Sequence, residues 1–182
     1  MIIETLIVLL VILILNIGFI IGVYNTIVTG KNDYEGQIND LKAEYQRRVD
    51  LFMNLVESVK SHVKFEKSTL TDITKARSGI NPLDTKKVKK LDSVFAGMKI
   101  QLEAYPELKS NKLYKELMSN ITLTEDRINS ARGEMNNIAE DFNTYIGKFP
   151  VNIIAKLFNT KRLKYIKLGA GSAKIDAPKI AI

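Results

Sequence analysis

"LIVLLVILILNIGFIIGVYNTIV", residues 6–28, carries no charge, and apart from the Tyr24 hydroxyl its polar side chains are Asn16, Asn25 and Thr26. At about 1.5 Å of rise per residue, some 20 residues cross the roughly 30 Å hydrocarbon core of a bilayer. A cleavable signal needs a basic start, a shorter apolar centre and a small-residue cleavage pattern. The chain instead opens on MIIET, whose one charged side chain is Glu4, and GVYNTIVTG (22–30) offers no Ala-x-Ala. A core helix of a soluble domain keeps a polar face, and this stretch has none. The reading is a retained transmembrane helix.

The flanks orient it. No Lys or Arg precedes the stretch, whereas Lys31, Lys42, Arg47 and Arg48 follow it. Positive charge stays on the cytoplasmic side and acidic residues count for little, so the N-terminus is expected outside and the rest of the chain inside. The alternative places the body outside the cytoplasm. Within the span, Gly18 and Gly22 form a small-xxx-small pair on one helix face, where a second helix can approach closely. Self-association through that face is a candidate homo-oligomeric contact.

Composition narrows the chemistry. The 182 residues include no Cys, no Trp and one His, so disulfides and thiolate catalysis are excluded. A zinc site would have to be carboxylate-rich. His62 and Glu66 share a helix face at i, i+4, a pairing common by chance. Glu125 and Asp126 are adjacent and point about 100° apart on a helix, which does not make an acid–base pair. KLGAGSAK (167–174) lacks the order of a phosphate-binding loop. No catalytic residue, metal or cofactor is expected. The net charge of +7 is uneven: from Lys148 onward eight basic residues face the single acid Asp176, while the preceding chain is neutral. That asymmetry favours anionic lipid or an acidic partner over nucleic acid.

Beyond the span the apolar residues fall at helical spacing. Tyr34, Ile38, Leu41, Tyr45, Val49, Phe52, Val56, Val59 and Val63 step by three and four. They predict a helix capped at Asn32 or Asp33, jointed to the anchor at Gly30, and ending near RSGINP (77–82). A second helix is predicted over about 85–104, with Val88, Leu91, Phe95, Met98 and Leu102 on one side and KKVKK (86–90) as a solvated face. Tyr105-Pro106 interrupts it. A third runs from about Asn111 to Gly147, where Leu113, Leu117, Ile121, Thr124, Ile128, Ala131, Met135, Ile138, Phe142 and Tyr145 approach a heptad seam. VNIIAKLF (151–158) adds a short turn or two. The fold class is all-α: one transmembrane helix, then an antiparallel up-and-down bundle of three long helices plus a short C-terminal helix. The domain plan is a short segment at 1–5, the span at 6–28, a bundle at 29–158 and a basic tail at 159–182.

QRRVDLFMNLVESVKSHVKFEKSTLTDITKARS (46–78), LEAYPELKSN (102–111) and TEDRINSARGEMNNIAEDFNTYIGKFPVNIIA (124–155) together resemble the LemA family of bacterial membrane proteins. The anchor followed by Tyr24-Asn25 fits as well. The resemblance implies a bacterial inner-membrane location, one anchor and a helical bundle, with no general activity attached. The pattern carries over at Arg48, Asp50, Asn54, Leu55 and Val56, at Glu66 and Arg77, and at Tyr105, Pro106, Leu108 and Lys109. It continues at Glu125, Ile128, Arg132, Asn136, Asn143, Phe149 and Pro150. Met53 stands where the family usually has proline, and Met135 and Phe142 replace its tyrosines.

Arg48, Asn54, Glu66, Arg77, Glu125, Arg132 and Asn136 lie on or beside the apolar stripes. Hydrogen-bonded polar residues there penalise slippage between long helices, so a register-setting network is expected; the alternative is a ligand or partner site. In the tail, Lys161, Arg162, Lys164 and Lys167 interleave with apolar residues and are candidate lipid contacts. Two function classes follow: a non-catalytic scaffold or adaptor recruiting a protein partner at the membrane, and a ligand sensor or enzyme with a site inside the bundle.

Overall fold

A computed structural model describes residues 1–77 and 79–166. Among them are five α-helices and no strand: α1 (Ile2–Val59), α2 (Lys67–Arg77), α3 (Thr85–Glu103), α4 (Lys112–Gly147) and α5 (Val151–Leu157). A 3-10 turn, Pro106–Ser110, connects α3 to α4.

Two expectations about the first helices are corrected. α1 passes through Gly30, Asn32 and Asp33 without a joint or a cap, and it ends at Val59 rather than near Gly79. A lone glycine weakens a helix by only about 1 kcal/mol, and no proline occurs before Pro82 to break it. Gly30 serves packing instead: a Cβ there would stand 2.7 Å from Cδ2 of Phe142. The early stop has a tertiary cause. The Val59 carbonyl accepts from the N–H groups of His62 and Val63, both at 2.9 Å, and Val63 turns into the core at 2 % exposure. Gln101 of α3 donates its Nε2 to the Lys64 carbonyl at 3.1 Å. Ser61, His62, Val63 and Phe65 are all modest helix formers, so little local preference opposes the turn. The extra helix α2 then starts beyond Glu66, whose carbonyl accepts from the Leu70 N–H at 3.2 Å.

The later helices α3 and α4 lie within a residue of their predicted ranges. Asp84 caps α3 by accepting from the Lys87 N–H at 3.2 Å. Asn111 caps α4, its Oδ1 accepting from Leu113 at 2.9 Å and Tyr114 at 3.2 Å. Both use a short acceptor to satisfy N–H groups that a first helical turn leaves unpaired.

The chain divides into two compact units, one formed by Met1–Gln37 and Met135–Tyr165, the other built on Ile38–Glu134. In the first unit, Val23 and Ile27 of α1 form a core with Phe142 and Ile146 of α4 and Val151, Ile154 and Ala155 of α5. N-terminal to Val23, α1 is bare: only 6 % of its most apolar 18-residue stretch is buried. That helix is long and apolar enough to cross a membrane. Its polar side chains are absorbed locally, Asn16 Nδ2 donating to the Ile12 carbonyl at 2.8 Å and Thr26 Oγ1 to the Gly22 carbonyl at 3.0 Å.

In the second unit, Leu41, Tyr45, Val49, Phe52 and Leu55 of α1, Phe95, Met98 and Leu102 of α3 and Ile121 and Ile128 of α4 are all buried, and Phe52 stacks on Phe95. All five residues foreseen on the inner face of α3 are buried. On α1, Leu55 is fully buried while Val56 and Ile38 are only half-buried. At the start of α4, Tyr114 is buried and Leu113 is 52 % exposed. Both shifts follow from a period of 3.6 residues, which drifts against a stripe read in steps of three and four.

Candidate functional site

The second unit contains a polar cluster sunk into its apolar core. Arg48 and Tyr45 come from α1, Asp92 from α3 and Arg132 from α4. Arg48 Nη2 donates to Asp92 Oδ1, and Arg132 Nη2 reaches Asp92 Oδ2 at 3.5 Å. Arg132 Nε donates to the Tyr45 hydroxyl at 2.9 Å, and Nη2 adds a second bond to the same oxygen. The arginine side chains are only 7 % and 8 % exposed, so these ion pairs are poorly screened.

Aromatic rings solvate what the carboxylate does not. The Arg48 guanidinium carbon lies 4.8 Å from the Phe95 ring centre and 5.2 Å from that of Tyr45. The Arg132 carbon lies 5.4 Å from the Tyr45 ring. Phe95 in turn stacks on Phe52, centroids 3.9 Å apart at 15°. A flat, weakly hydrated cation against ring faces is the arrangement in which arginine tolerates burial. Side chains from three helices thus share one set of bonds.

Burial pushes the Tyr45 phenol above its ordinary value of 10.0, against the opposing pull of Arg132. Burial also raises Tyr34 and Tyr114, and Glu103 adds to the effect at Tyr114. A raised folded-state value means the native chain binds the phenolic proton more tightly than the unfolded one. The associated stability is complete below pH 10.0 and is lost as pH rises through the raised values. Ultraviolet titration of the full chain should therefore show three of its seven tyrosines ionising late. Tyr45→Phe should remove one of the late transitions; a curve fitted by seven ordinary phenols would refute the assignment.

Of the residues singled out by sequence, Arg48 and Arg132 come together. Glu125 forms a separate, partly buried pair with Lys99 at 2.6 Å. Asn54 is exposed, and exposed Glu66 accepts from the Ser68 hydroxyl at 3.1 Å at the start of α2. Asn136 is half-buried on α4 in the first unit. The Arg77 side chain and Lys167 lie outside the described residues. Lys161, Arg162 and Lys164 are exposed in the first unit. Their backbone is partly tied down: Asn143 and Leu163 exchange two bonds of 3.0 and 2.8 Å, and the Tyr34 hydroxyl donates to the Lys164 carbonyl at 2.7 Å. Gly18 and Gly22 are exposed, with open space where a Cβ would stand.

Sequence reading missed Asp92, Tyr45 and Phe95 as members of the cluster. Tyr45 and Phe95 read as ordinary stripe residues, and Asp92 was not singled out. The available signal was spacing: Asp92 lies three residues before Phe95, and Tyr45 three before Arg48, each pair on one helix face.

The same unit carries an open groove of about 520 Å³ lined by Asp40, Glu44, Asp126 and Glu134. Arg127 crosses it toward Glu44 at 3.8 Å. A smaller hollow of about 320 Å³ is lined by Ile80, Val88, Leu91 and Val94, with Lys90 bridged to Asp72 at 2.9 Å on its rim. Among the described residues, no three His, Cys, Asp or Glu side chains are grouped to hold a metal ion.

Comparison with known proteins adds an independent line. A model of the LemA family matches residues 37–181. The chain is 30% identical to Protein LemA of Metamycoplasma hominis over 153 residues, covering 79% of this chain and 70% of that one. It is 27% identical to Magnetosome protein MamQ 2 of Paramagnetospirillum magneticum over 189 residues, 86% of this chain and 70% of that one. Magnetosome protein MamQ of Magnetospirillum gryphiswaldense is 28% identical over the same shares.

Proposed function

Because the chain belongs to the LemA family, we propose that it is a membrane-anchored, non-catalytic scaffold that presents a helical bundle to a protein partner. The observation that carries the reading is the continuity of α1. Its bare apolar half is built for lipid, and the same helix supplies Tyr45 and Arg48 to a cluster suited to fixing register. The three long helices α1, α3 and α4 are proposed to run up and down, with the span at 6–28 and the bundle at 29–158. The N-terminus is placed outside and the bundle in the cytoplasm, from the Lys and Arg that follow the span. Gly18 and Gly22 are the proposed face for self-association in the bilayer. The acidic groove at Asp40, Glu44, Asp126 and Glu134 is the proposed docking surface, suited to a basic segment of the partner.

Two measurements test this. Ser119 is exposed and the chain has no native cysteine. Ser119→Cys should resist a membrane-impermeant maleimide in intact cells and react after permeabilisation; labelling in intact cells would reverse the topology. A photo-crosslinker at Ser130, on the groove, should yield a recurrent adduct that Asp40→Lys and Asp126→Lys abolish. Adducts indifferent to both reversals would remove the groove from the adaptor role.

A further inference from the structure

The helix α5 is apolar on both sides. Val151, Ile154 and Ala155 are buried against α1 and α4, at 8 %, 8 % and 4 % exposure. The opposite side and its flanks leave Phe149 80 %, Ile153 59 % and Leu157 75 % exposed. Scattered surface leucines need no explanation, but a seven-residue helix with only Asn152 and Lys156 as polar members does. A helix that is apolar all round belongs in a core or in lipid.

Its place along α1 decides between these. The side chains of residues 2–22 are exposed throughout, and Val23 is the first to be buried. At about 1.5 Å per residue, the uncharged part of that stretch, from Leu6 onward, covers about 25 Å, most of the roughly 30 Å hydrocarbon core. The groups that bury Val23 and Ile27 include those of α5. Tyr24, 45 % exposed, meets Phe158 with ring centres 5.0 Å apart. An aromatic pair where a span ends is typical of the headgroup level. In the same stretch of chain as Phe158, Lys148, Lys156, Lys161, Arg162 and Lys164 are all exposed, and no acidic residue falls between Lys148 and Tyr165.

We infer that α5 is an interfacial membrane helix: docked by one side on the anchor, it inserts Phe149, Ile153 and Leu157 into the edge of the bilayer while the surrounding lysines and Arg162 meet anionic lipid headgroups. α5 thereby marks where the membrane ends along α1. The inference rests on the anchor part of the proposed function and not on the adaptor role. It is independent of which leaflet the bundle faces, although the headgroup contacts are strongest on the anionic one.

The test uses the full chain reconstituted into vesicles of phosphatidylcholine with or without phosphatidylglycerol. Single cysteines at Ile153 and Leu157 carry an environment-sensitive fluorophore, with Ile12→Cys reporting the anchor and exposed Glu140→Cys as an aqueous reference. Positions 153 and 157 should be quenched several-fold more by lipids spin-labelled near the headgroup than by aqueous iodide, with the reverse at 140. The shielding should be stronger in anionic vesicles and lose that preference on Lys156→Gln, Lys161→Gln and Arg162→Gln. Iodide quenching at 153 and 157 as strong as at 140 would overturn the inference. Shielding from both quenchers would also overturn it, since a second copy or another protein surface would then cover the face. Equal behaviour in neutral and anionic vesicles would remove the headgroup contacts. Failure at Ile12 as well would overturn the anchor itself, a result distinct from failure at α5 alone.

Discussion

Replacing Asp92 with alanine is expected to destabilise the protein by about 3 kcal/mol, because it strands two buried guanidiniums without their shared carboxylate. The Asp92 side chain is 38 % exposed, which softens the loss, but the Arg48 and Arg132 side chains it pairs with are only 7 % and 8 % exposed. Chemical denaturation of the full chain in detergent measures the effect. A second comparison separates register from mere charge. The triple variant Asp92→Ala, Arg48→Met, Arg132→Met removes every charge and keeps most of the volume, so it should recover much of the loss. If Asp92→Ala shifts stability by less than about 0.5 kcal/mol, as an ordinary surface substitution would, the cluster is not holding the helices.

Phe95→Ala is expected to cost about 4 kcal/mol, the scale of emptying a ring from a closed core. Phe95 is 1 % exposed, stacks on Phe52 and carries the Arg48 guanidinium on its ring. The substitution therefore opens a cavity and removes the aromatic support of a buried cation, the latter worth about 1 kcal/mol. Phe95→Leu keeps most of the packing and should cost clearly less. Phe149→Ala supplies the contrast: at 80 % exposure it should leave stability within about 0.5 kcal/mol. Equal losses from Phe95→Ala and Phe149→Ala would contradict the core described around Phe52.

Much of the fold was legible in single stretches of chain, for local reasons. An uncharged run from Leu6 to Val28 has one stable use, so the apolar helix could be read without a partner. The starts of α3 and α4 could be placed from apolar periodicity and the break at Tyr105-Pro106, and Asp84 and Asn111 act there as short acceptors within one turn. Val88, Leu91, Phe95, Met98 and Leu102 reveal a buried face because the helical period alone aligns them. Arg48 and Arg132 stood out because charged residues beside apolar stripes need partners.

What the tertiary structure alone decided concerns choices that depend on groups far away in sequence. Gly30 reads as a hinge until Phe142 is found against it; the same residue type gives freedom or close approach, and only the neighbour tells which. The stop at Val59 has no glycine or proline to announce it, since it depends on Val63 finding the core and Gln101 reaching Lys64. Asp92 could not be identified as the shared partner of two arginines, because helical periodicity specifies a face but not which residue of another helix lies opposite. The exposed side of α5 became meaningful only once its other side was seen on Val23 and Ile27. Sequence by itself determined that the chain is helical and which faces are apolar, since both follow from interactions within a few residues. The pairing of those faces arises from contacts across many tens of residues, and for that reason only the folded chain decides it.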